Sequence, residues 1–217
     1  MKHIITNINE YHNNFYKLIK SDNFKKWFGD WENDSNNSSK MIDDKGLPKI
    51  YYKSMKGYIP FIGDINGYNY NITLATPRES LAKGFSYGRP TYPIFIRSIK
   101  PYDFRIKEEL NWLMDIICTE EYAKKYTDFV NTLSDIKNGY EYTIDDLKSG
   151  LADGVYTVME WEDVYNTLKE NGYDSFYVVE DLETHLEPNV AVFKGNQIKL
   201  ANGINTTFDI NSNNISE

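Results

Sequence analysis

Apolar residues recur at spacings of three and four from Ile8 through Tyr11, Phe15, Leu18 and Ile19, a stripe that predicts an opening helix. Ser21 is placed to cap a second short helix carrying Phe24, Trp27 and Phe28, with Gly29 as its stop. From Glu32 to Lys40 there is no apolar residue, which predicts a flexible loop. The pattern then turns to strands. Lys49–Lys53 is a short β-rich run between Gly46-Leu47-Pro48 and Gly57, Ile59–Ile62 reads as a short strand or an aromatic turn, and Asn71–Ala75 is a further strand.

Thr76-Pro77-Arg78-Glu79 has the order of a capping box, with Thr as N-cap, Pro in the first turn and Glu at N3. Leu81, Ala82 and Phe85 would give that helix its buried face. Tyr92–Ile99 is strongly strand-like. The middle is helical: Lys107–Ile117, a helix capped by Thr119 with Tyr122, Tyr126, Phe129, Val130 and Leu133, a third beginning near Thr143, and a fourth marked by Trp161, Val164, Tyr165 and Leu168. Strands follow at Ser175–Val179, Val190–Phe193 and Gln197–Leu200, and a polar tail runs from Asn202. Strands at both ends of a helical block predict an α+β fold.

Composition narrows the chemistry. The 217 residues carry 24 Lys or Arg against 32 Asp or Glu, a net charge of −8 that should repel phosphate. Basic runs are short, such as Lys25-Lys26 and Lys124-Lys125, so no direct nucleic-acid binding is expected. One cysteine, Cys118, excludes an internal disulfide framework and reads as a small hydrophobe. His3, His12 and His185 lack metal-ligand spacing, so no metal is expected. No apolar run suggests a signal peptide or a membrane span. The 23 Asn against one Gln, and 20 Lys against 4 Arg, suggest an AT-rich genome rather than a fold.

Familiar motifs fail. Asp64-Ile65-Asn66-Gly67 starts like a calcium loop, but its Gly comes early and no acidic residue closes it. Gly84-Phe85-Ser86-Tyr87-Gly88 lacks the glycine spacing of a phosphate loop. No nucleophile-elbow sequence positions a Ser, and the adjacent pairs Asp43-Asp44 and Asp145-Asp146 read as turn and helix-start residues.

Several segments, in order, resemble the ADP-ribosyltransferase domains found in polyvalent proteins of phages and mobile elements. Asn23–Trp31 (NFKKWFGDW) resembles their opening, and Ile42–Ser54 resembles the acidic-Gly-Pro turn and the strand that ends in His-Gly-Thr. Tyr92–Tyr102 (YPIFIRSIKPY) resembles a "YPVFLNIKNPY" strand, and Leu168–Asp174 (LKENGYD) an "LK-x-x-GYDG" helix end. Val190–Ala201 with Thr207-Phe208-Asp209 resembles the closing "VVF-x-x-NQIKSA…TFD". The resemblance covers about residues 21–217. It implies a split β-sheet with an N-terminal helical arm (1–31), a domain over 32–201 with a helical insertion at about 105–160, and a polar tail (202–217).

The activity it implies is cleavage of the nicotinamide–ribose bond of NAD and transfer of ADP-ribose, through an oxocarbenium-like transition state that a carboxylate stabilises. The family uses a strand His to hold the ribose and nicotinamide amide, a second-strand aromatic to stack on nicotinamide, and a late-strand Glu. Carried onto this chain, the His falls on Tyr52, within Tyr52-Lys53-Ser54. The aromatic falls on Leu74 or Ala75, and the Glu on Asn189, which carries no charge. Glu187, two residues earlier, is the carboxylate that would have to substitute; Tyr51 or Tyr52 would have to supply a ring, although each fits a core position.

These degenerate positions lead us to expect a non-catalytic protein, without a cofactor, serving as a structural or interaction part of a bacteriophage particle or as injected cargo. The alternative is a divergent active transferase that uses NAD to modify a host protein, and between them lies a nucleotide-binding host inhibitor. Partners are then other phage proteins or a host protein, with no membrane, and the location is the virion or the host cytoplasm. Trp27, Phe28 and Trp31 fit an arm packed on the fold. The ends also carry more apolar area than a short helix pair buries alone, so Phe15, Phe24, Trp27, Trp31 and Phe208 are the expected interaction residues.

Overall fold

A computed structural model describes residues 14–60, 63–65, 68–70, 72–133, 140–180, 187–203 and 205–217, the backbone alone at 63–65 and 68–70. Ile8, Tyr11 and the three histidines lie outside them. The class is mixed α+β. Contacts divide the chain into two units, Met1–Pro101 with Val190–Glu217, and Tyr102–Asn189. The expected boundaries at 31 and 201 therefore do not separate compact parts, since arm and tail fall in the same unit.

In the first unit residues 14–19 are helical, and Leu18 and Ile19 are buried. Helix α1 (Asp22–Phe28) starts where expected, the Ser21 hydroxyl accepting from the Phe24 N–H. It stops at Gly29, whose φ of 97° and contact with Ser38 admit only glycine: an added Cβ would lie 2.4 Å from Ser38 Oγ. The polar run that follows is exposed at residues 32–37 and 40, as a loop should be, but not throughout its end. Ser38 and Ser39 are buried; Ser39 Oγ donates to Ile96 O (2.9 Å) and accepts from Ser98 N (3.0 Å). Polar side chains with internal partners can be buried without apolar neighbours in sequence.

Strands β1 (Tyr51–Ser54), β5 (Thr91–Ile96) and β9 (Ile198–Leu200) form an antiparallel sheet in the order β1-β5-β9. Tyr51 faces Ile94, Ser54 faces Thr91, and Phe95 faces Lys199. A separate hairpin pairs β2 (Gly63–Ile65) with β3 (Tyr68–Tyr70). Strand β4 (Thr73–Ala75) pairs with β8 (Asn189–Val192), Ala75 opposite Val190. Helix α2 is Glu79–Gly84. The expected capping box is absent here. Thr76 is bonded through its backbone to Tyr52 (2.7 and 3.1 Å), which holds it extended, so the helix begins three residues later without a side-chain cap.

One aromatic cluster joins arm, sheet and tail. Phe24 lies 5.0 Å from Phe28 and Phe95, 5.1 Å from Phe208 and 5.7 Å from Trp31, between ring centroids. Trp27 Nε1 donates to Asn196 O and Trp31 Nε1 to Gly46 O. The tail is folded into the unit: Leu200 N bonds Ile215 O, and the fully buried Lys199 donates from Nζ to Ser212 O (2.9 Å) and Asn214 O (3.0 Å).

The chain passes through β6 (Pro101–Tyr102) into the second unit, where helices α3 (Lys107–Ile117), α4 (Glu120–Leu133), α5 (Ile144–Ala152), α6 (Tyr156–Met159) and α7 (Glu162–Glu170) precede β7 (Ser175–Val178). Thr143 and Asp146 form a capping box on α5. Leu113, Ile117, Leu147, Leu151, Val164 and Leu168 are fully buried, the helical stripes read from spacing. Gly154 (φ 63°) lies against the Phe104 ring, 2.5 Å from any added Cβ.

Candidate functional site

The positions that the resemblance marks begin on β1. Tyr52 is half-buried, and its backbone pairs with Thr76, the residue after Ala75. Strand geometry thus brings Tyr52 close to the end of β4, where Leu74 is half-buried and Ala75 buried. Ser54 is already engaged, its hydroxyl 2.7 Å from both Ala82 O and Thr91 Oγ1. At the glycine position of the family motif, Lys53 projects a long, half-buried side chain from the same strand.

Ala75 faces Val190, and Asn189 precedes Val190 as the first residue of β8. Asn189 is only 2% exposed, and its Oδ1 is a buried acceptor with no hydrogen-bond partner among the described residues. Glu187 is exposed in a bend, outside β8, with the buried Pro188 between. It is not on the strand whose pleat would set it beside Asn189. Thus Tyr52, Leu74 and Ala75 share one neighbourhood of unit one, with neither a ring at Leu74 or Ala75 nor a charge at Asn189.

The largest displacements of ionisation lie away from these positions. Burial pushes the Tyr102 phenol far up, helped by the Glu109 carboxylate, and burial also raises the Tyr177 phenol, with Asp103 adding to it. Burial lowers the Lys199 ammonium, opposed by Asp209 and Glu217. The thiol of Cys118, half-buried, is also pushed up by burial, which makes it a poor nucleophile. No group of three or more metal-ligating side chains occurs among the described residues. Nor is any helix among them long and apolar enough to cross a membrane.

Trp27, Phe28 and Trp31 pack on the fold, as an arm should, and the residues expected to meet a partner are taken up by the same packing. Phe24, Trp27, Trp31 and Phe208 are buried in the aromatic cluster, and Phe15 is half-buried with its ring 5.9 Å from Phe95. Their apolar area is used within the chain. Gln197, expected to open a strand, is instead buried in the 3-10 turn before β9, its Oε1 accepting from Phe193 N and Lys194 N and its Nε2 donating to Arg97 O. Phe85, expected on the buried face of α2, is 55% exposed, and Tyr87 is 86% exposed. Neither exposure shows in the sequence, where Phe85 continues the apolar spacing of Leu81 and Ala82 and Tyr87 stands in a glycine-flanked stretch without a phosphate-loop pattern.

No family model, curated protein or solved structure matches the chain.

Proposed function

We propose that this chain is a non-catalytic protein on an ADP-ribosyltransferase-like scaffold, acting through binding as a structural or interaction component of a bacteriophage particle or of its injected cargo. The observation that carries the non-catalytic reading is the state of residue 189. A transferase needs a carboxylate there to oppose a cationic transition state; this chain has a neutral, buried Asn189 at the head of β8. Removing one such electrostatic contact typically costs about 10²–10³ in rate. Ala75, Leu74 and Tyr52 replace the other two groups as well, and Glu187 stands off the strand.

The bacteriophage setting rests on the ordered resemblance of Asn23–Trp31, Tyr92–Tyr102 and Val190–Ala201. With residues 14–31 and the tail packed inside the first unit, partners would meet other surfaces than these. The test is nicotinamide release from labelled NAD by the purified chain. Release at the rate of buffer alone is expected; release that disappears in Glu187→Ala would refute the reading and establish a divergent transferase. Mass spectrometry of purified particles tests the setting, and a chain found only free in the host cytoplasm would overturn it.

A further inference from the structure

Two loops leave the same end of the β1–β5 pair. Ser54 faces Thr91 at the last rung, Met55 N donates to Pro90 O (3.1 Å), and the ring of Tyr58 lies 5.5 Å from that of Tyr92. The loop after β1 therefore runs beside the loop that enters β5. Between them they expose three aromatic rings: Tyr58 at 46%, Phe85 at 55% and Tyr87 at 86%. An aromatic residue so exposed leaves its face to water, and these three stand on adjoining loops at one end of the sheet.

Cations are interleaved with these rings. Lys56 and Arg89 flank the Met55–Pro90 hydrogen bond and are exposed, and among the described residues neither has a carboxylate partner. Lys83 is exposed too, and pairs with Glu79 (2.7 Å). The wider charge agrees. Residues 49–100 hold eight Lys or Arg against two Asp or Glu, while the rest of the chain holds sixteen against thirty. The basic residues stand singly, so no run in the sequence marks them; the antiparallel register of β1 and β5 sets Lys56 and Arg89 at one end of the pair, while Lys49 and Arg97 lie beyond the other.

The Tyr87 loop is built to present its ring. Tyr87 has φ 48° and Gly88 φ 78°, two successive left-handed residues, a conformation that disfavours a bulky side chain. The turn is held by Ser86 N to Lys83 O, Gly88 N to Ser86 Oγ and Arg89 N to Ser86 O. It lifts the ring away from the fold.

From this juxtaposition we infer that the β1–β5 end binds single-stranded nucleic acid, its bases stacking on Tyr87 and Phe85 and its phosphates meeting Lys56 and Arg89. Aromatic faces beside unpaired cations are the combination that tracks a single strand without reading sequence. A duplex does not fit, because its base faces are already stacked. A membrane surface fits less well, since two of the three rings are tyrosines rather than the Trp, Phe and Leu that insert among acyl chains. This inference does not depend on the ADP-ribosyltransferase reading, and its readout is separate from nicotinamide release.

The experiment is fluorescence anisotropy of a labelled oligonucleotide with the full-length chain, as single-stranded DNA, single-stranded RNA of the same sequence, and duplex DNA. At low salt, binding to one or both single strands is expected, with weak binding to duplex; the arms show which sugar is preferred. Two phosphate contacts predict a log–log salt slope of about −1 to −2. Tyr87→Ala should weaken binding about tenfold or more, whereas Tyr87→Phe, which keeps the ring, should bind as the parent does. Arg89→Glu should weaken it and flatten the slope. All three changes lie in an exposed loop, and circular dichroism checks that the variants are folded. No binding to either single strand, binding unchanged in folded Tyr87→Ala and Arg89→Glu, or tighter binding to duplex would overturn the inference. So would capture by phosphatidylserine-containing vesicles with no binding to oligonucleotides.

Discussion

Replacing Phe208 by alanine tests whether the C-terminal tail is part of the fold or an appendage. Phe208 is 3% exposed, with its ring 5.1 Å from Phe24, edge to face, and 5.7 Å from Trp27. Truncating a buried Phe costs about 3–5 kcal/mol, of which each aromatic pair supplies roughly 0.5–1.5. For a chain of this length that is a fall in Tm of about 6–20 °C. Phe208→Gly should be less severe, by about 1 kcal/mol, because residue 208 has φ 47° and glycine removes the cost of that left-handed backbone. Urea unfolding followed by tryptophan fluorescence is the assay, since Trp27 and Trp31 lie in the same cluster. Deleting residues 203–217 should prevent folding of the first unit altogether, as it also strips Ser212 O and Asn214 O from the buried Lys199 ammonium. A loss below about 1 kcal/mol in Phe208→Ala, or a folded truncation, would refute the reasoning and return the tail to the role of a free arm.

Gly29→Ala should cost at least about 2 kcal/mol in urea, because its Cβ would collide with Ser38 at a φ unsuited to alanine. Tyr102→Phe removes a buried hydroxyl that has no hydrogen-bond partner among the described residues, so its Tm should equal or exceed that of the parent. Burial raises the Tyr102, Tyr126 and Tyr177 phenols, so the native chain keeps those protons when the unfolded chain has lost them. Stability is therefore complete below the ordinary phenol value of about 10 and falls as pH rises past it; Tyr102→Phe should make that fall shallower in pH-dependent melts. Asn189→Glu should destabilise the chain by roughly 3 kcal/mol or more, by burying an unpaired carboxylate, and should leave nicotinamide release at background.

How much of this was legible depended on where each side chain finds its partner. Helix α3 has the bounds expected of it, Lys107–Ile117, and the caps at Ser21 and Thr143 hold, because both signals are local. Thr76 carried an equally good local signal and failed, since a distant strand residue, Tyr52, claims its backbone. The pairing of β2 with β3 has a sequence signal in Asn66-Gly67, but Asp64-Ile65-Asn66-Gly67 also has the start of a calcium loop, and the two patterns compete in so short a stretch. At the candidate positions, neutrality was readable from residue type alone. The burial of Asn189, the exposure of Glu187 and the stranding of Phe85 and Tyr87 in water were not, because each is a tertiary fact.

The asparagines make the point most sharply. Their abundance reads as a mark of the genome, and as an average it is. Yet Asn205, 1% exposed, donates from Nδ2 to Ile215 O and accepts at Oδ1 from the backbone of Thr207 and Phe208. Asn196 Nδ2 donates to Ile210 O, and Asn214 O takes part of the Lys199 ammonium. Short amides satisfy backbone groups that a strand would otherwise pair, so a tail with almost no apolar pattern can still be folded. Hydrophobic periodicity detects segments that are buried through their side chains. It is blind to segments held through their backbones, and in this chain those are the end of the polar run, Ser38 to Lys40, and the tail.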